Sequence, residues 1–212
     1  MRRTFFHSIV VVAAVALTGC FTCVVPFYEE GQMVQDLRIE GTHDSLKDGR
    51  KDESIWVIEP THERDERGNL HRKYDIFVRD GNVSVQLVGT LFRLDKTLFF
   101  DLYPVRDSGV RDAGGAPTVS EVIRLAMYEN RHVVWKVEFT DKGMTYWFPT
   151  SNGSARAALL APELKQSPLG DGRIGLVLPP STKEAQNYLR RFATNSSVFD
   201  YRGELIKRKK DA

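Results

Sequence analysis

A chain of 212 residues that is 42% hydrophobic and 27% charged can bury one sizeable core as a single domain. Thirty Lys and Arg against 28 Asp and Glu leave a net charge of only +2, which argues against a nucleic-acid partner. The only two cysteines, Cys20 and Cys23, lie near the N-terminus, so the folded body has no disulfide and no thiolate metal site and depends on its hydrophobic core.

The chain starts with Arg2 and Arg3, followed by the apolar run Ile9 to Leu17. A positive start, a short apolar run and small residues before a break form the layout of a secretory signal peptide. The next residues, Leu17-Thr18-Gly19-Cys20, resemble the lipobox of bacterial lipoproteins. The resemblance implies cleavage before Cys20, diacylation of its sulfur and anchoring by the acyl chains. Residues 1–19 then form the signal peptide, and residues 20–33 are expected to be a membrane tether. Loss of Arg2 and Arg3 would take the net charge from +2 to zero.

An uncleaved anchor is the alternative, since Ile9 to Val25 nearly reaches the about 20 apolar residues of a membrane span. Thr18, Gly19 and Thr22 weaken that span. Either version keeps Arg2 and Arg3 inside and puts the body outside the cytoplasm. In diderm bacteria, Asp directly after the lipidated cysteine favours the inner membrane; Phe21 stands there, which implies the outer membrane. Cys20-Phe21-Thr22-Cys23 also fits C-x-x-C, but redox chemistry needs a strand before it and a helix N-terminus beneath it. An export segment precedes it here. Cys23 is thus a second acylation site or, more simply, a small apolar residue.

Period-two alternation then runs through the body, residues 34–201. Leu37 and Ile39 lead into Glu40-Gly41-Thr42, and Ile55-Trp56-Val57-Ile58 ends at Pro60. Tyr74, Ile76 and Val78 share a face and enter the turn Asp80-Gly81-Asn82, whose residues tolerate positive φ. Val83, Val85 and Leu87 resume the alternation, and Gly89 marks a bulge or a close approach. Leu91 to Leu94 turns at Asp95-Lys96 into Thr97 to Tyr103, apolar on both faces and so a central strand covered on both sides.

Arg106 to Pro117 is the longest clear loop. Thr118 to Glu121 fits a helix-capping box, but Ile123, Leu125 and Met127 balance Val133, Trp135, Val137 and Phe139 around Glu129-Asn130. A hairpin is favoured. Met144 to Phe148 adds a short strand, and Ser154 to Lys165 holds a short helix interrupted by Pro162. The clearest helix is 181–194, where Ser181 and Glu184 form a capping box and Ala185, Tyr188, Leu189, Phe192 and Ala193 recur at three and four residues. Residues 202–212 read as a basic, solvated tail.

The fold class is therefore mainly β with a C-terminal helix: eight or nine short strands in an antiparallel barrel or sandwich, the barrel favoured because closure removes sheet edges. The body also resembles a loose group of uncharacterised bacterial proteins with a lipocalin-like β-barrel. The resemblance is carried by Leu37 to Thr42, by Leu91 to Leu94 with Phe99 to Pro104, and by the terminal helix after Leu176-Val177-Leu178. Where lipocalin-like first strands have Gly-x-Trp, this chain has Gly41-Thr42-His43, so no ligand residue carries over.

Candidate chemistry is sparse. Asp101 is the most conspicuous carboxylate, and a two-residue turn at Asp95-Lys96 places Thr90 opposite it. A buried, unpaired carboxylate has a raised pKa and could act as a general acid, yet no second group presents itself. His62 and His71, with Glu63, Asp65 and Glu66, are weak metal candidates that lack the spacing of a zincin helix. Gly170 to Gly175 fits G-x-G-x-x-G but precedes a strand-like segment, whereas a dinucleotide site needs a helix there. Trp56, Trp135, Trp147, Phe99 and Phe100 would line a lipid pocket or simply pack the core. No cofactor is implied. The expected function is a non-enzymatic binding or interaction domain at the cell envelope. The alternatives are a lipocalin-like carrier of a small hydrophobic ligand and an envelope hydrolase or metal-assisted enzyme. The partners are the membrane through Cys20 and either a small hydrophobic ligand or an envelope protein.

Overall fold

The alternation read along the body resolves into strands that close on themselves. The computed structural model of the chain describes residues 21–47, 50–61, 72–80, 83–105, 131–168 and 174–209. Its strands are β1 (Phe21–Cys23), β2 (Gly41–Lys47), β3 (Arg50–Pro60), β4 (Tyr74–Asp80), β5 (Val83–Leu94), β6 (Thr97–Pro104), β7 (His132–Thr140), β8 (Gly143–Phe148), β9 (Lys165–Pro168), β10 (Ile174–Val177) and β11 (Tyr201–Lys207). The helices are α1 (Ser151–Leu160) and α2 (Thr182–Phe192).

Eight strands form a closed antiparallel barrel in the order β2-β3-β4-β5-β6-β7-β8-β11, with β11 pairing back onto β2. The protein is mainly β and lipocalin-like in architecture. An eight-stranded barrel is just wide enough for side chains to fill it or for one small ligand. Here the inward positions are bulky. Trp56, Tyr74, Phe100, Trp135 and Tyr146 all belong to the interior cluster and are at most 5% exposed. The Trp135 ring stacks on Tyr146 at 4.3 Å between centroids and lies 5.4 Å from Trp56.

Close packing explains Gly89. A Cβ there would sit 2.5 Å from Ile76 Cδ1 and from the Phe100 ring, so the sequence signal marked a close approach rather than a bulge. Asp95 adopts φ +54° in the tight β5–β6 turn, a left-handed conformation that Asp tolerates better than most residues.

Helix α2 covers the outer face of the barrel. Its stripe Ala185, Leu189 and Phe192 joins Phe92, Phe99, Val134, Leu176 and Phe199 in a second apolar layer. The helix matches the expected span closely, but Ser181 makes no side-chain cap hydrogen bond. The helix start is held instead by Thr182 Oγ1, which donates to the Pro26 carbonyl at 2.9 Å. Buried Gln186 donates to the Phe27 carbonyl at 3.1 Å and exchanges hydrogen bonds with the Gln32 amide.

Four expectations need correction. Residues 21–33 of the expected tether are packed into the fold: Phe21, Cys23 and Phe27 are fully buried, and β1 pairs with β7 and, in parallel, with β10. Their apolar character serves a protein core rather than a membrane span. Residues 202–207 of the expected tail form β11, the strand that closes the barrel, with Gly203 and Leu205 turned inward. Its charged outward residues masked the short alternation. Leu37–Ile39 forms a 3-10 turn rather than the run into a strand. The short helix begins three residues before Ser154 and stops at Leu160, ahead of Pro162.

The hairpin partner proposed for β7, residues 123–127, lies outside the described residues. Among the described residues, no helix is long and apolar enough to cross a membrane.

Candidate functional site

Asp101 sits on β6 opposite Thr90 of β5, as the two-residue turn required. The second group that the sequence did not offer is His132, the first residue of β7. Its Nδ1 lies 2.8 Å from Asp101 Oδ2. Tyr103 stacks on the imidazole at 4.4 Å between centroids. His132 escaped sequence reading because the β6–β7 register is set across the long connection from 106 to 130, whose length gives no clue to pairing.

Asp101 is 2% exposed, and burial pushes its carboxyl above the ordinary range despite the attraction of His132 and of the Phe27 N–H. Nearby Tyr28 accepts a hydrogen bond from Thr90 Oγ1 at 3.2 Å, and burial raises its phenol as well.

Cys23 lies directly opposite His132 in the β1–β7 ladder. Cysteine, histidine and aspartate in one neighbourhood invite a nucleophilic reading, but the physical state of the thiol opposes it. Cys23 is fully buried, its Sγ–H donates to the Pro179 carbonyl at 3.2 Å, and burial raises its pKa. A nucleophilic cysteine needs a stabilised thiolate and access. This cluster pins the N-terminal segment to the barrel wall.

The other candidates separate. Trp56, Trp135 and Phe100 fill the barrel, Phe99 faces the helix layer, and Trp147 lies under the Lys136 ammonium at 4.5 Å. Cys20, His62 and His71 lie outside the described residues, as does the start of the Gly170–Gly175 motif. The end of that motif is strand β10, without the helix a dinucleotide would need. Among the described residues, no three of His, Cys, Asp and Glu converge closely enough to hold a metal.

A different feature emerges at the barrel end where β5 turns into β6. The first β6–β7 pair is Leu98 with Val137, so β7 runs on past β6 through Glu138, Phe139 and Thr140. Beside this overhang opens a groove of about 610 Å³. Arg38, Arg93, Lys96 and Lys136 line it against one carboxylate, Glu138, with Leu98, Val137, Phe139 and Ala193 as its apolar walls. Arg38 is held by Asp36 at 2.6 Å and lies over the Phe139 ring at 4.6 Å. That bond holds the Asp36 carboxyl below its ordinary range. No linear pattern marks the groove, because its cations come from three separated stretches: Arg38, the β5–β6 hairpin with Arg93 and Lys96, and Lys136 of β7.

No family model matches the chain, and neither curated proteins nor solved structures give a match.

Proposed function

We propose that this protein is a lipid-anchored extracytoplasmic binding protein, held through acylated Cys20 and presenting its barrel at the cell envelope without catalysing a reaction. In an organism with two membranes, the residue after the anchor, Phe21, favours the outer one. One observation carries the binding part of this reading: the barrel is filled by aromatic side chains, while the open, charged groove lies at its end. An interior filled by Trp56, Trp135 and Tyr146 weighs against a carrier of hydrophobic ligands. The buried, raised thiol of Cys23 beside Asp101 and His132 weighs against a hydrolase.

Because the expected tether is largely folded, almost no free chain would separate the acylated cysteine from the barrel wall. Labelling cells with a radioactive fatty acid tests the anchor. The wild-type chain should take up label, and Cys20→Ala should lose it and remain unprocessed. Persistent labelling and normal processing of the variant would rule the anchor out.

A further inference from the structure

The groove is built to meet an anion. Arg93, Lys96 and Lys136 make no ion pair among the described residues, although each stands on or beside a rigid strand or tight turn. Two nearby carboxylates are already engaged, Asp36 by Arg38 and Asp95 by Arg190 at 3.4 Å. Glu138 is the single acidic residue in the lining. Arg38 approaches from the 3-10 turn, Arg93 from β5, Lys96 from the β5–β6 turn and Lys136 from β7.

Cations converging from several directions suit the spread oxygens of a phosphate better than a flat carboxylate, and guanidinium groups can engage phosphate through paired hydrogen bonds. The hydroxyls of Thr97 and Thr194 add donors. The volume is that of a small-molecule site, ample for a phosphodiester with a polar substituent.

Two further observations indicate where such a phosphate comes from. Leu37, next to Arg38 in the same 3-10 turn, is 68% exposed, which places a bare apolar side chain beside the cations. The direction of β1 is the second. It runs antiparallel to β7, with Thr22 on Val133 and Cys23 on His132, so Phe21, the first residue of β1, is the one nearest the Lys136 end of β7. A cationic groove, an exposed leucine and a β1 whose Phe21 end, next to the proposed anchor, points toward Lys136 describe a surface suited to lipid.

We propose that the groove formed by Arg38, Arg93, Lys96 and Lys136 binds the phosphate of an anionic lipid headgroup, with Leu37 dipping into the acyl boundary. The phosphate chemistry stands on the groove alone, whereas the lipid source rests on the anchor proposed above.

The test is calorimetry on the full chain in non-ionic detergent, titrated with glycerophosphoglycerol, glycerophosphocholine and inorganic phosphate. Glycerophosphoglycerol should bind saturably, weaken with added salt and bind at least tenfold more tightly than the other two. Arg93→Gln with Lys136→Gln should lose at least tenfold of that affinity at an unchanged melting temperature. If the variant keeps full affinity, or if glycerophosphocholine binds equally well, the site is refuted. Inorganic phosphate binding as tightly as glycerophosphoglycerol would overturn the lipid source. The anchor is read separately by fatty-acid labelling: headgroup binding without label removes the anchor and keeps the groove, and label without headgroup binding does the reverse.

Discussion

Asp101 and His132, 31 positions apart in the chain, meet across the β6–β7 ladder of the barrel wall. Burial raises the Asp101 pKa, so the folded protein holds this proton more tightly than the unfolded chain. The resulting stabilisation is complete below the unfolded value, about 3.9, and drains away as pH rises towards the folded value. Urea midpoints of the wild type and of Asp101→Asn, compared from about pH 3 to pH 7, should therefore diverge. The wild type is expected to lose stability relative to the variant as pH rises. A difference that is flat with pH would show that the carboxyl does not titrate differently on folding.

Phe21 distinguishes a folded N-terminal segment from a tether. It is fully buried against Phe192 and Phe199, with centroids 5.8 and 5.7 Å away. Phe21→Ala should cost about 3–5 kcal/mol, the usual range for emptying a core phenylalanine site. Chemical denaturation measures this directly, and a cost below about 1 kcal/mol would return the segment to tether status.

Gly89→Ala should destabilise by about 1–3 kcal/mol through overpacking, because the added methyl meets both Ile76 and Phe100. Pairing it with Ile76→Val, which shortens the nearest side chain, should recover part of the loss. If the double variant is as unstable as the sum of the single ones, the clash lies elsewhere.

Cys23 should be inert in the folded protein. With its sulfur fully buried and its pKa raised, iodoacetamide is expected to leave it unmodified under native conditions and to alkylate it in concentrated urea, as read by mass spectrometry. Rapid native alkylation would mean that β1 leaves the barrel wall readily and would reopen a chemical role for the thiol.

Most of the barrel was legible because its strands bury one face and expose the other, which forces period-two sequences such as Tyr74-Ile76-Val78 and Val133-Trp135-Val137. The Thr90–Asp101 pairing followed from a turn of fixed length. Two kinds of element were illegible. Phe21 to Cys23 follows an apolar run, so its core role was hidden behind the pattern of an export signal. Tyr201 to Lys207 has one fully buried inward apolar residue, Leu205; Tyr201 is only half-buried at the cluster's margin, and the position between them is Gly203, which leaves room for the Tyr146 ring. The candidate site was less legible still. His132 and the groove cations are brought together only by register and closure, which a linear pattern does not encode.

The pairing of β11 with β2 joins segments far apart in the chain, with Arg208 reaching Asp44 across 164 positions. Closing so long a loop is slow, since its entropy is lost before any contact compensates for it. Until residues 201–207 arrive, β2 and β8 present two open edges that can pair with any extended strand nearby. The nascent barrel is therefore an open sheet throughout synthesis. Premature termination within β11 is thus a route to aggregation rather than to a merely weakened protein.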